Sequence, residues 1–494
     1  MIEDLKNVIK HGSLYLLGNM LTRMVSFLML PIYTRFLTTA DYGVLEIVTL
    51  VSMLLSIVFS LRLAGAMTRY YYEYKNSKDE NSLVSTVQIS VVIIAAVAAY
   101  LLSQNSEFIS RIAVGNSEYS QYFGLISITL AFELCEQVPY TYLRILNKSM
   151  YFILMSLTQL VLGLTLNIYF IVYLKQGVIG VLYSMIISHG IVSILLVGYT
   201  FWKVKFGFDV LKLKKLFKFG LPFIPASLLI FVLNMGDRFL LARMTNLSEV
   251  GIYALGYKFG MLVGEFIGGP FSNIWGPKRV EIYVSRTNGN EMFSRIFIYL
   301  SFLLVVVGLG LSVIVKEILM LIAAPEFWSA YRVVPFVIIG YAFYTLYYVV
   351  DIGFYVKDRT FWYPIINAIA VAVNVGLNLI LIPRYGALGA GMVTAISFFI
   401  CPVVAFVISQ RYLRLHYDFI RIAKLVSSAL LFYWISSFVS TEFLFANIVI
   451  KMVLMIAYIG FLYLIRFFEP VEIRFVVNRV SAGWKYLRVG RSFS

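Results

Sequence analysis

Long apolar runs, broken by short polar and charged stretches, make up most of this chain. A membrane-spanning helix needs about 20 mainly apolar residues. A window of that length predicts fourteen spans, at 12–34, 44–66, 83–104, 120–143, 152–174, 178–202, 216–241, 250–274, 293–315, 331–356, 361–382, 387–410, 422–441 and 444–466. Two longer runs are divided to reach that number, at Lys175-Gln176-Gly177 and at Thr441-Glu442. The expected fold is therefore an all-α integral membrane protein.

Polar positions recur inside these runs at helical spacing. Span 1 carries Tyr15, Asn19, Arg23 and Ser26, and span 2 carries Glu46, Thr49, Ser56 and Ser60. Span 7 carries Ser227, Asn234, Asp237 and Arg238, and span 8 carries Lys258, Glu265 and Ser272. Span 4 sets Glu133 and Glu136 on one side, and span 10 repeats Tyr341, Tyr344, Tyr348, Asp351 and Tyr355 along one face. An ionised group inside hydrocarbon is costly unless it meets water, an opposite charge or a ligand. These stripes are expected to face the bundle interior.

Fixed-offset self-comparison shows a repeat. An offset of 208 residues places Gly12 on Gly220, Arg35 on Arg243, Asp41 on Glu249 and Gly43 on Gly251; an offset of 209 places Gly177-Val-Ile-Gly on Gly386-Ala-Leu-Gly and Ser188 on Ser397. Two parallel six-helix bundles are expected at 1–207 and 208–415, followed by two further helices and a basic tail at 416–494. Parallel repeats of this kind are a transporter architecture with the binding site between the halves.

Composition agrees with lipid as the main solvent. Of 494 residues, 61% are hydrophobic and 13% charged, too few charges to clothe a soluble protein of this size. The formal net charge of +16 reflects topology: 29 of the 41 Lys and Arg fall on the side shared by both termini, 7 on the other and 5 within spans. That asymmetry predicts cytoplasmic termini. The cluster Lys203, Lys205, Lys212, Lys214, Lys215 and Lys218 suits anionic lipid headgroups, and nucleic acid is not an expected partner. No cleavable signal peptide is expected, because Met1–Lys10 is charged and the first apolar run is long enough to stay in the membrane. Cys135 and Cys401 both fall inside spans and predict no disulfide framework.

Three stretches carry a family resemblance. "KHGSLYLLGNMLTRMVSFLMLPIYTRFLTTADYGVLEIV", "FGLPFIPASLLIFVLNMGDRFLLARMTNLSEVGIYALGYKF" and "LIPRYGALGAGMVTAIS" resemble the polysaccharide-transport family, the Wzx-type flippases of the MOP superfamily. The resemblance covers spans 1–12 and extends to a fourteen-helix count. It implies a flippase in the bacterial inner membrane that moves a polyprenyl (undecaprenyl) diphosphate-linked oligosaccharide, such as an O-antigen, lipopolysaccharide or capsule repeat unit, to the outer leaflet by alternating access. Coupling to an ion gradient, a glycan polymerase and a chain-length regulator as partners, and a central cavity lined by spans 1, 2, 7 and 8 are also implied.

The residues themselves leave several roles open. Arg23, about 15 Å from either end of its span, is either a cation for the diphosphate or half of a structural pair. Lys258 and Arg238 are further cavity cations, against an ion pair with Glu265 for the first and snorkelling to the interface for the second. Asn19, Asn234, Tyr341, Tyr344 and Tyr348 are candidates to meet the glycan, although aromatic stripes also serve packing. Asp237, Glu265 and Arg62 are candidates for a gate or ion pair. Glu133 and Glu136 are candidates for ion coupling, or for neutralising Arg23 or Arg62. Pro139, Gly268-Gly269-Pro270 and Pro402 are candidate bending points.

The sequence carries no HExxH, no Ser–His–Asp set, no metal-ligand spacing and no nucleotide-binding loop; its histidines are His11, His189 and His416. No catalytic residue, cofactor or metal is therefore expected, and a membrane-embedded glycan polymerase or ligase is a remote alternative. A lipid-linked peptidoglycan-precursor flippase and a multidrug or cation antiporter of the same superfamily are the nearer ones.

Overall fold

A computed structural model of the protein describes residues 27–75, 79–285 and 289–474. Every regular element in that part is helical. Nine helices among the described residues are long and apolar enough to cross a membrane, or up to eleven when each of two bent pairs is taken as one span.

In chain order, the first eight helices are α1 (Leu30–Phe36), α2 (Thr39–Phe59), α3 (Leu63–Tyr74), α4 (Asp79–Gln104), α5 (Ser106–Ala113), α6 (Ser120–Ile145), α7 (Ser149–Ile168) and α8 (Gly177–Lys203). They are followed by α9 (Val210–Gly220), α10 (Phe223–Met235), α11 (Asp237–Met244), α12 (Leu247–Val263), α13 (Gly269–Ser285) and α14 (Gly289–Ile322). The last five are α15 (Val334–Val350), α16 (Ile352–Tyr355), α17 (Trp362–Tyr412), α18 (Phe419–Ser437) and α19 (Leu444–Leu464). Their boundaries depart from the sequence windows mainly where the chain bends inside an apolar run, because hydropathy registers composition and not backbone direction. The expected span 7 is broken twice: by a 43° turn between α9 and α10 around Leu221-Pro222, and at Gly236 before α11. π-helical turns at Tyr169–Tyr173 and Gly264–Gly268 interrupt two others.

Local chemistry sets the starts and breaks. Thr38 and Asp41 form a reciprocal capping box at the start of α2. Asp209 caps α9 by accepting from the backbone N–H groups of Leu211 and Lys212, at 2.8 and 3.2 Å. The Lys212 N–H, then that of Leu211, and the nearby Lys212 ammonium hold its carboxyl below the usual range. Between α2 and α3, Leu61 and Arg62 adopt left-handed backbone (φ 45° and 55°), a conformation that costs a non-glycine residue about 1–2 kcal/mol. Pro139 sits inside α6 without breaking it.

The 51-residue α17 contains a reversal. At Gly386 the backbone turns to φ 54° and ψ −133°, dividing two helical runs. A Cβ there would lie 2.5 Å from Oε2 of Glu249, which accepts the Ala387 N–H at 2.7 Å. Gly177, its partner under the 209-residue offset, has a similarly rare φ of 58°.

The described residues divide into two compact units. The first takes the described part of Met1–Lys258 with Leu319–Val333 and Phe361–Ser397. In it α6 packs between α4 and α8, and Leu63, Met67, Leu83, Val84, Leu130, Leu134 and Leu216 form a buried core. Helices α2 and α12 cross backbone to backbone. A Cβ on Gly43 would lie 1.9 Å from the Leu247 carbonyl oxygen, and one on Gly251 would lie 2.1 Å from that of Thr39. Under the 208-residue offset Thr39 is the counterpart of Leu247. The contact is therefore self-complementary, as at a two-fold interface.

The second unit takes Phe259–Ile318, Val334–Thr360 and the described part of Phe398–Ser494. Its core joins Ile298, Leu309 and Val313 of α14 to Leu425, Tyr458 and Leu462 of α18 and α19. Lys451 meets Glu317 at 2.6 Å and Arg279 meets Asp351 at 2.7 Å, all of them buried. Large apolar side chains such as Ile194, Leu430 and Ile456 point outward, as a lipid solvent requires.

Candidate functional site

Within the first unit, α3, α6 and α7 surround a cavity of about 710 Å³. That volume falls in the range of about 300–1,000 Å³ usual for small-molecule sites. The left-handed turn before α3 sets Arg62 on one wall, where its guanidinium donates to Ser227 Oγ. Arg144, in the last turn of α6, lines the same cavity and donates from Nε to the Tyr140 carbonyl at 3.3 Å. Eight and eleven residues earlier on α6, roughly 12 and 16 Å along the helix axis, Glu136 and Glu133 line the same cavity. Thr68, Gln137, Tyr140, Thr141, Ser156 and Gln159 add donors and acceptors between these levels. The cavity thus presents two guanidiniums, two carboxylates and a row of neutral hydrogen-bonding groups.

Behind the acid end stands His189 of α8. Its Nδ1 lies 3.2 Å from Oε1 of Glu136 and its Nε2 lies 3.7 Å from Oε1 of Glu133. Gln159 brings its amide within 2.8 Å of Nδ1. In the sequence His189 is one of three histidines and belongs to no catalytic set. The signal available was a histidine in the middle of an apolar span, where an ionisable group is rare. Gln159 and Arg144 were missed as well, because neither carries a distinguishing motif.

A second polar assembly joins α2, α11 and α12. Arg238 is 1% exposed; Nη1 donates to Asp237 Oδ1 at 2.7 Å and to the Asn234 carbonyl at 2.8 Å, and Nε lies 3.7 Å from Glu46 Oε1. The guanidinium also sits over the Tyr257 ring, 3.9 Å from its centroid, and near that of Tyr253. The Tyr253 hydroxyl bonds Asp237 and Thr394. Glu46 continues the assembly to Lys258, 3.9 Å away, whose ammonium donates to the Tyr42 hydroxyl at 2.7 Å. Two cations and two anions alternate, so the assembly is formally neutral. Adjacent Asp237 and Arg238 are accommodated because each lies beside opposite charge and aromatic faces.

The remaining candidates are dispersed. Arg23 and Asn19 lie outside the described residues. Asn234 donates to the Ile230 carbonyl on its own helix. Tyr341, Tyr344 and Tyr348 belong to the second unit, where Tyr341 and Tyr344 pack on Phe398, Tyr344 on Tyr348, and the Tyr348 carbonyl accepts from Trp275. Glu265 lies in the π-helical turn of that unit. Of the sequence candidates, the structure brings Arg62, Glu133 and Glu136 to one cavity. It gathers Asp237, Arg238 and Lys258 in the second assembly.

Residues 8–282, just over half of the chain, match the family described as polysaccharide biosynthesis protein. The chain belongs to this family. A Haemophilus influenzae protein of the Lsg locus is 25% identical over 271 residues, 52% of this chain and 62% of that protein. An uncharacterized membrane protein of the same organism is 24% identical over 273 residues, 53% and 62% of the two chains. The chain thus matches less than two thirds of the length of these relatives. The lipid II flippase MurJ in an inward closed conformation has the same fold, with a TM-score of 0.71 over 93% of this chain and all of that one at 16% identity. An inward-facing multidrug resistance MATE transporter of the MOP superfamily gives 0.61 over 82% and 96% at 14% identity. Family and fold together make the chain a multi-pass membrane protein of the polysaccharide biosynthesis family, with the fold that MurJ and the MATE transporters share.

Proposed function

We propose that this protein is a flippase for a polyprenyl diphosphate-linked oligosaccharide, carrying its headgroup from the cytoplasmic to the outer leaflet of a bacterial inner membrane by alternating access. The observation that carries this reading is the 710 Å³ cavity with Arg62 and Arg144 on its walls. Guanidiniums suit a diphosphate because their fixed forks bind oxyanions in pairs. The neutral groups between them suit sugar hydroxyls. In the proposed topology both termini, the Lys203–Lys218 cluster and the loop after Arg144 are cytoplasmic, which puts the basic end of the cavity where the substrate is made. Two six-helix bundles (1–207 and 208–415) followed by 416–494 form the proposed architecture; the matching glycines at 177 and 386 and the reciprocal Gly43–Gly251 contact support it. A glycan polymerase and a chain-length regulator are the expected partners.

The test is a leaflet assay in proteoliposomes loaded with a radiolabelled polyprenyl diphosphate oligosaccharide. Arg62→Gln and Arg144→Gln should each slow the protein-dependent movement, and the double variant should abolish it at equal protein content. Unchanged movement in the double variant, or no movement with the wild type, refutes the reading.

A further inference from the structure

A neutral imidazole carries one N–H and one bare nitrogen. His189 faces Glu136 with one nitrogen and Glu133 with the other, so in its neutral form it can donate to one carboxylate only. The other carboxylate then confronts a lone pair. With one proton added, Nδ1 donates to Glu136 and the ring carries a positive charge beside Glu133, whose Oε1 lies 3.7 Å from Nε2. The three side chains are 18%, 7% and 29% exposed, so water screens this arrangement weakly.

Gln159 supplies the second half of the device. Its amide nitrogen lies 2.8 Å from His189 Nδ1, the nitrogen that also faces Glu136, and 3.2 Å from Nε2. An NH₂ group can donate only to a bare Nδ1, whereas a protonated Nδ1 donates and suits the amide oxygen or the carboxylate. Adding a proton to a bare Nδ1 therefore reverses the polarity of the hydrogen bonds at that nitrogen. The groups facing His189 are Glu133 and Glu136 from α6, with Cys135 and Tyr140 beside them, and the uncharged Gln159 from α7. Helices α2 and α4 also pack on α8, and their own carboxylates, Asp41, Glu46, Asp79 and Glu80, lie in their first two turns. Arg62 and Arg144 line the same cavity as the acids.

We infer that Glu133, His189 and Glu136 form a proton-binding site in the cavity wall, and that this proton and an anionic diphosphate on Arg62 and Arg144 bind cooperatively. The second part rests on the function proposed above. Two arginines, two carboxylates and a neutral imidazole sum to zero formal charge; one proton makes the cavity positive and strengthens its attraction for an anion. Linkage is reciprocal, so the anion must raise the site's hold on the proton by the same factor.

With three histidines in the sequence, histidine-specific ¹³C labelling of the full chain in nanodiscs gives few resonances, and His189→Gln assigns the one of interest. That resonance should move with pH between about 5 and about 9, and Glu133→Gln or Glu136→Gln should displace its midpoint by about one pH unit or more. Farnesyl diphosphate is the anionic probe. Its affinities at about pH 6 and about pH 8 should form a ratio that differs by about fivefold or more between wild type and His189→Gln, a comparison in which the probe's own titration cancels. A resonance that stays fixed, or titrates alike in the wild type and both glutamine variants, overturns the proton site. Equal affinity ratios overturn the cooperativity. Absence of farnesyl diphosphate binding beside an acid-dependent titration overturns the headgroup reading of the cavity and leaves the proton site standing.

Discussion

Replacing Gly43 or Gly251 by alanine should pry apart the crossing of α2 and α12. A Cβ at Gly43 would stand 1.9 Å from the Leu247 carbonyl oxygen, where ordinary contact begins at 3.4 Å, so the backbones must separate by about 1.5 Å. At Gly251 the corresponding approach is 2.1 Å, to the Thr39 carbonyl oxygen. The obstacles are main-chain atoms, and no side chain can rotate away to absorb the methyl group. Overpacking a tight contact costs about 1–3 kcal/mol. If the crossing closes in one transport conformation and opens in another, that cost lowers the closed population by about 5- to 150-fold. Spin labels at Phe36→Cys and Asn246→Cys, in a background with Cys135 and Cys401 replaced by alanine, report the separation by pulsed electron resonance. The two alanine variants should behave alike, because the contact is reciprocal: both should gain a longer-distance population and lose transport. Distance distributions and transport that match the glycine protein in both variants would refute this account of the crossing.

Other substitutions test the buried charges and the left-handed glycines. Arg238→Gln leaves the buried Asp237 without its cation and Glu46 with Lys258 alone, and should destabilise the detergent-solubilised protein by about 3–5 kcal/mol, as read from thermal unfolding; Asp237→Asn in the same chain should restore part of that loss. Lys451→Met should cost a similar amount, whereas Lys451→Met with Glu317→Leu should lie near the wild type, because the pair's desolvation cost disappears with its attraction. Gly386→Ala combines a positive φ with a Cβ 2.5 Å from Glu249, whereas a Cβ at Gly177 has open space around it. Gly177→Ala should therefore cost about 1–2 kcal/mol and Gly386→Ala measurably more; equal melting temperatures for the two would count against the Glu249 contact.

Part of the site could be read directly from the residues. Glu133 and Glu136 stand three apart on an apolar helix, so their shared face was visible, and the cavity they line lies on that face. Asp237 and Arg238 stood out because charge is scarce in hydrocarbon. Their partners did not: Glu46 is 192 positions from Arg238, and Tyr253 and Thr394 carry no motif that ties them to Asp237. Arg62 was visible as a charge near a span end, but the left-handed turn that aims it into the cavity involves two ordinary residues, Leu61 and Arg62, that do not favour such backbone.

By itself the sequence determined the class of fold, and it displays the constant offsets on which the proposed repeat rests. Lipid fixes the length and apolarity of each span, duplication leaves matching glycines and charges at constant offsets, and both are one-dimensional properties. Only the tertiary structure decided that Gly43 and Gly251 touch each other, that Arg238 is enclosed by opposite charge and aromatic rings, and that His189 stands between two carboxylates. Those facts depend on distances between side chains on different helices. Hydropathy gives each helix its length, but the contacts between helices are set by the rotation of each about its axis and by where its backbone bends.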